Sequence, residues 1–358
     1  MSKVAAATTV THVSDSAPTT APVQKNARPR IAWIDIAKGV TILSVIASHV
    51  LAYGGTSRNL IFSFHMPLFF ILSGYTMKPA QNWKDLWKRT KKDFVRLIIP
   101  TIFIQLVCCT LEIILHGASL NTMLYQFGYK MLWAEGVTHA AGTPQMGMAW
   151  FLVSLFVAKL IIRLLSLILK DYYKYICILL GFLGMVMAAK HIYLPLNFAS
   201  TLVATMFIAS GMMICKNKNF FSKYKLPIFI VSCLILYETL KRGLYIEMAV
   251  FQFSPITIIE AYASTFIVCI LCRAISDIKI IHKVLCFIGV HTMSIFIVHN
   301  LDGYFNFLYK DFANDYVRAI VRTFWVLLYA WAFTVVFHGI CKFLRFLKNR
   351  HIKRKVVA

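Results

Sequence analysis

Apolar residues in this chain come in long runs, and polar residues gather between them. A run of about 20 residues lets a helix cross a roughly 30 Å hydrocarbon core. Ten windows approach that length: 31–53, 60–77, 95–117, 149–169, 174–190, 196–214, 226–243, 255–274, 284–301 and 318–341. Helices satisfy their own backbone hydrogen bonds in lipid, whereas an open sheet leaves an edge unpaired. The pattern therefore predicts an all-α polytopic membrane protein with about ten transmembrane helices.

The polar segments set the orientation, because Lys and Arg collect on the cytoplasmic side. With the N-terminus inside, the cytoplasmic segments hold 27 Lys and Arg, seven of them in 78–96 and seven in 342–355. The opposite loops hold six. This alternation predicts that both termini are cytoplasmic. Residues 1–29 read as a disordered polar tail without the apolar stretch of a cleaved signal peptide. A membrane domain follows over 30–345, then a basic cytoplasmic tail over 346–358. The longest outer segment, 118–148, contains "HAAGTPQMGM" and suits either a lid or substrate loop or a plain connector.

Composition agrees: 59% of the residues are hydrophobic and 15% charged, against roughly 45–50% and 25% in soluble domains. A net charge of +24 would suggest nucleic acid in a soluble chain. Here its distribution is a topology signal, so the expected partner is membrane lipid and not nucleic acid. The nine cysteines lie mostly inside apolar runs and, apart from "CILC" at Cys269 and Cys272, lack paired ligand spacing. No metal is expected.

Ionisable groups inside a membrane cost about 2.5–3.5 kcal/mol each on insertion scales, so they usually face a cavity or a partner. Window 31–53 carries Asp35, Lys38 and His49. Eleven residues separate Lys38 from His49, which on a helix puts both on one face about 16 Å apart, Lys38 inward and His49 outward. The short "GGTSRN" connection makes the next window an antiparallel neighbour, with His65 near its outer end. Window 284–301 delivers His299, Asn300 and nearby Asp302 to the same level, and Trp150 opens its own window there. Glu112, Glu238 and Glu260 fall in the outer halves of theirs.

Taken singly, these residues have plainer roles. A histidine or Trp150 suits the interface, Lys38 can snorkel with Asp35 as its ion-pair partner, and segment 78–96 can serve topology or lipid contact. Three histidines at one depth favour catalysis.

The blocks "RIAWIDIAKGVTILSVIASH", "FSFHMPLFFILSGY", "FVRLIIP", "AWFLVSLF" and "HTMSIFIVH" together resemble the integral-membrane acyltransferase family 3, in particular its fucose 4-O-acetylase-like branch. The resemblance implies a ten-helix core in a bacterial cytoplasmic membrane. Such a core takes an acyl group, usually acetyl, from cytoplasmic acyl-CoA and passes it to a hydroxyl of a glycan or lipid-linked sugar. The family's basic-x10-His pattern falls on Lys38 and His49, with Lys where many members carry Arg, which keeps the charge but loses the bidentate fork. Its Phe-x-x-Pro-x-Phe-Phe-x-x-Ser-Gly frame falls on Phe64, Pro67, Phe69, Phe70, Ser73 and Gly74. Arg96 and Pro100 occupy its Arg-x-x-x-Pro position.

Residue chemistry suggests roles to match. A basic inner mouth of Lys38, Arg89, Lys92 and Arg96 suits the phosphates of acyl-CoA. Imidazole, with an unperturbed pKa of about 6.5, suits a general base for an acceptor hydroxyl. The expected base is His49, with His65 or His299 orienting the hydroxyl or donating to the thioester oxyanion. A transient acetyl-imidazole at His49 is the covalent variant. Trp150, Asn300, Glu112 and Glu238 are candidate acceptor contacts. The alternative is a transporter or exporter of a sugar or lipid-linked sugar; against it, residues 31–170 and 174–341 lack the self-similarity of repeated halves.

Overall fold

Each of the ten windows contains helix in the computed structural model, which describes residues 30–136 and 144–357. The predicted N-terminal tail and the first half of "HAAGTPQMGM" lie outside the described residues. Helix α1 runs over Ala32–Ser48 and α2 over Thr56–Thr76. Helix α3 (Trp83–Asp93) continues through a π-turn at Phe94–Ile98 into α4 (Ile99–His116). Next come α5 (Leu120–Trp133), α6 (Trp150–Ile168), α7 (Tyr173–Ala189) and α8 (Phe198–Lys216). A short α9 (Lys218–Lys223) leads to α10 (Lys225–Lys241) and α11 (Pro255–Ala274). Helices α12 (Lys279–Val290), α13 (Thr292–His299) and α14 (Asp315–Val357) follow. No strand occurs among the described residues.

Six helical stretches among the described residues are long and apolar enough to cross a membrane, and the bent pair α12–α13 makes a seventh if it is one span. Helices α1 and α10 have 17 residues each, and α2 carries Arg58, Asn59 and His65. The outer segment read as a loop contains α5, and most of the basic segment 78–96 is helical as α3. The basic tail continues α14 as helix to Val357.

Packing explains why the polar helices sit inside. Helix α1 lies against α2, α11, α12, α13 and α14, while α2 also packs on α8 and α11. The peripheral helices instead expose Phe103, Ile114, Leu179, Leu234, Phe324 and Trp331, as a lipid-facing surface should, since lipid tails are as apolar as these side chains. Close approach of α2 to α8 depends on Gly74: a Cβ there would fall on the carbonyl oxygen of Ile208. This accounts for the glycine of the Ser-Gly pair. Gly74→Val should cost about 1–3 kcal/mol or more, read as a lower melting temperature of the detergent-purified protein.

Two irregularities shape the bundle. Pro100 has no N–H for the carbonyl of Arg96, and just before it the ladder widens, with Ile99 N donating to Phe94 O. Arg96 thus lies inside a π-turn, a feature frequent at functional sites. The second is the 61° bend between α12 and α13. Here His291 Nδ1 donates to the Phe287 carbonyl (2.8 Å) and Thr292 Oγ1 to that of Gly289 (2.7 Å). These side chains occupy carbonyls at the end of α12, where the backbone ladder stops. Gly289 lies so close to α1 that a Cβ would overlap the carbonyl oxygen of Asp35.

Candidate active site

The site begins where α1 ends. His49 is the first residue past Ser48 and lies in a turn, a change from the helical position expected of it. It is exposed there, at the end of the helix. Its imidazole faces that of His299, the last residue of α13, at 5.7 Å between ring centroids. His299 is completely buried, and neither of its ring nitrogens has a hydrogen-bond partner among the described residues. Buried polar atoms left unpaired cost about 1–3 kcal/mol each, and such atoms gather where a ligand is to be met.

His65 joins the group through Phe62. The Phe62 ring stands 6.3 Å from His49 and 4.7 Å from His65, edge-on to both. His65 Nδ1 lies 2.9 Å from the carbonyl of Ile61, one turn back on α2. A carbonyl can only accept, so Nδ1 carries the proton, which leaves Nε2 of the neutral ring as an acceptor. His65 is therefore suited to accept from a hydroxyl and, while neutral, not to donate to an oxyanion.

Behind His299 sits a buried charge pair that only the folded chain reveals. Asp302 Oδ2 accepts from Arg322 of α14 and from Tyr309 Oη (2.8 Å). His299 Nδ1 lies 3.9 Å from the same oxygen, beyond hydrogen-bond length. A second pair covers the cluster on its other flank. Arg58 lies 3.9 Å above the Phe62 ring and binds Glu247 (3.2 Å) and Tyr245 Oη (3.3 Å). The sequence shows Arg58 only as one basic residue of an outer loop, and Glu247 carries no local signal.

At the opposite end of α1, Lys38 pairs with Asp35 at 3.3 Å, as expected for an i,i+3 partner. Arg89 is paired with Asp85 (2.7 Å), whereas Lys92 and Arg96 are exposed. The end of α3 is anchored on α6 by buried Asp93, which accepts from Arg163 and lies 3.2 Å from Lys159. Two cations on one carboxylate leave a net positive charge there, and Arg96 lies close enough to act on Lys159 electrostatically.

The other predicted residues divide. Asn300 follows His299, and its Nδ2 contacts Cys108 Sγ at 3.7 Å. Glu112 accepts from Tyr304 Oη (2.7 Å) and bonds His116 (2.8 Å). Trp150 is buried at the start of α6 against Gly136 and Phe151. Glu238 is not brought to the cluster; it lies exposed on α10, 3.6 Å from Arg242. Glu260 is fully buried on α11 next to Thr239. Among the described residues no group of three His, Cys, Asp or Glu could hold a metal ion.

Fold and site define an integral membrane protein with a histidine cluster inside its helical bundle. Residues 31–340 match the family described as "Acyltransferase domain", numbered 3 among the acyltransferase families. The chain belongs to this acyltransferase family. It is also similar to Nodulation protein NolL of Mesorhizobium japonicum, 30% identical over 142 residues. The match covers 37% of this chain and 35% of that relative, so the chain spans about a third of the relative it matches. No solved structure matches.

Proposed function

We propose that this chain is a membrane O-acyltransferase that moves an acetyl group from cytoplasmic acyl-CoA to a hydroxyl of an extracytoplasmic or lipid-linked glycan. The observation that carries this reading is the pairing of an accessible His49 with a buried His299. His49 takes the proton of the acceptor hydroxyl as its oxygen attacks the thioester carbonyl; the C–S bond then breaks and the thiolate leaves with a proton. His65 Nε2 orients the hydroxyl by accepting from it, and His299 donates to the oxyanion. Lys38, Arg96, Arg89 and Lys92, with the charge around Asp93, attract the donor's phosphates. Asn300, Glu112 and Trp150 are candidates for acceptor contacts, and Glu238, exposed beside Arg242, is the weakest.

In this reading the ten helical windows are ten spans and both termini are cytoplasmic, in a bacterial inner membrane. Alkaline phosphatase fused after Gly243 should be active and fused after Lys223 inactive; the reverse would invert the topology.

The test of function is the acyl-ester content of surface glycans, measured by mass spectrometry in cells with and without the protein. Acetyl esters that appear only with the protein support the proposal, and their fragment masses identify the acceptor. No change in any acyl ester would exclude it and favour transport.

A further inference from the structure

A cavity of about 1090 Å³ lies between α8, α10 and α11, with α2 as its back wall. It exceeds the usual 300–1,000 Å³ of small-molecule pockets, and its lining is mostly aliphatic and aromatic. Lining residues run along α11 from Ile259 to Arg273, about 21 Å at helical rise. Toward the Ile259 end, Tyr262 Oη and Ser210 Oγ bond each other at 2.7 Å, so their polar atoms are already matched. Helix α10 packs along α11 and touches α2.

One end differs in chemistry. Lys218, Lys225 and Arg273 surround it, all exposed, and none forms an ion pair among the described residues. Three unneutralised cations at the mouth of a long apolar slot match a ligand with an anionic head and a hydrocarbon tail. A soluble polyanion would gain nothing from the slot, and a neutral lipid nothing from the cations.

We propose that this cleft seats an anionic phospholipid of the surrounding membrane, with its phosphate on Lys218, Lys225 and Arg273 and one acyl chain along α11. The site is separate from the histidine cluster and does not depend on the transfer chemistry.

Native mass spectrometry of the delipidated, detergent-purified chain tests it, using phosphatidylglycerol and phosphatidylcholine of identical chains at equal concentration. Phosphatidylglycerol should be retained about tenfold or more over phosphatidylcholine. The combined variant Lys218→Gln, Lys225→Gln, Arg273→Gln, altered only at exposed positions, should bring the ratio near one. Ile235→Trp, which narrows the slot away from the charges, should weaken retention of both lipids. Equal retention by the wild type, or an unchanged preference in the triple variant, would overturn the proposal. So would equal binding of glycerol phosphate without chains, or a preference for a polyprenyl phosphate over phosphatidylglycerol.

Discussion

His49→Ala should abolish acyl transfer while the protein reaches the membrane at its normal level. General-base catalysis by a positioned side chain contributes about 10²–10⁴-fold, and loss in that range is the expected effect. The structural cost is small for two reasons: His49 lies just past the end of α1 and is exposed, and its side chain makes no hydrogen bond among the described residues. The assay is release of CoA from labelled acetyl-CoA in membranes matched for protein amount. Equal rates in wild type and variant would remove His49 as the base. His65→Gln offers a graded comparison, since an amide can replace part of the acceptor function of Nε2 without its basicity; its rate should fall between the two.

Asp302→Ala should produce the largest loss of stability. Asp302 and Arg322 are 0% and 6% exposed, and removing one partner of a buried pair strands the other charge at a cost of about 3–5 kcal/mol. Thermal unfolding of the purified protein measures this directly. The paired replacement Asp302→Leu, Arg322→Met separates stability from function. Apolar substitution of a whole buried pair is often neutral or stabilising, so the melting temperature should recover. Transfer should stay impaired, because His299 would have lost the carboxylate beside it. Full activity in the paired variant would show that Asp302 serves folding alone.

What the sequence disclosed depended on the range of each signal. Long apolar windows each became helix because hydrophobic length is a local property. Helix α5 was missed because its 14 residues are too short for a span and interleave Asn, Gln and Lys with apolar positions. The meeting of His49 with His299 followed from depth alone, since the charge pattern puts both toward the same side of the chain's windows. Depth does not give helical phase, which is why Glu238 seemed as good a candidate as Glu112 and proved to face outward. The pairs Arg58–Glu247, Asp93–Arg163 and Asp302–Arg322 join residues 189, 70 and 20 positions apart. One chain carries no local sign of such partnerships.

The bend at His291 also bears on how the chain is built. Helices α12 and α13 have 12 and 8 residues, each well below the roughly 20 that an independently inserting segment needs. If the bent pair is one crossing, its two halves are each too short to span alone and the seam between them is backed by a packed partner. That partner is α1, which receives α12 at Gly289 through backbone contact. The element that ends at His299 and the helix that ends before His49 are likewise packed on each other. Seating the bent pair on α1 and bringing the two imidazoles within 5.7 Å are thus one packing arrangement.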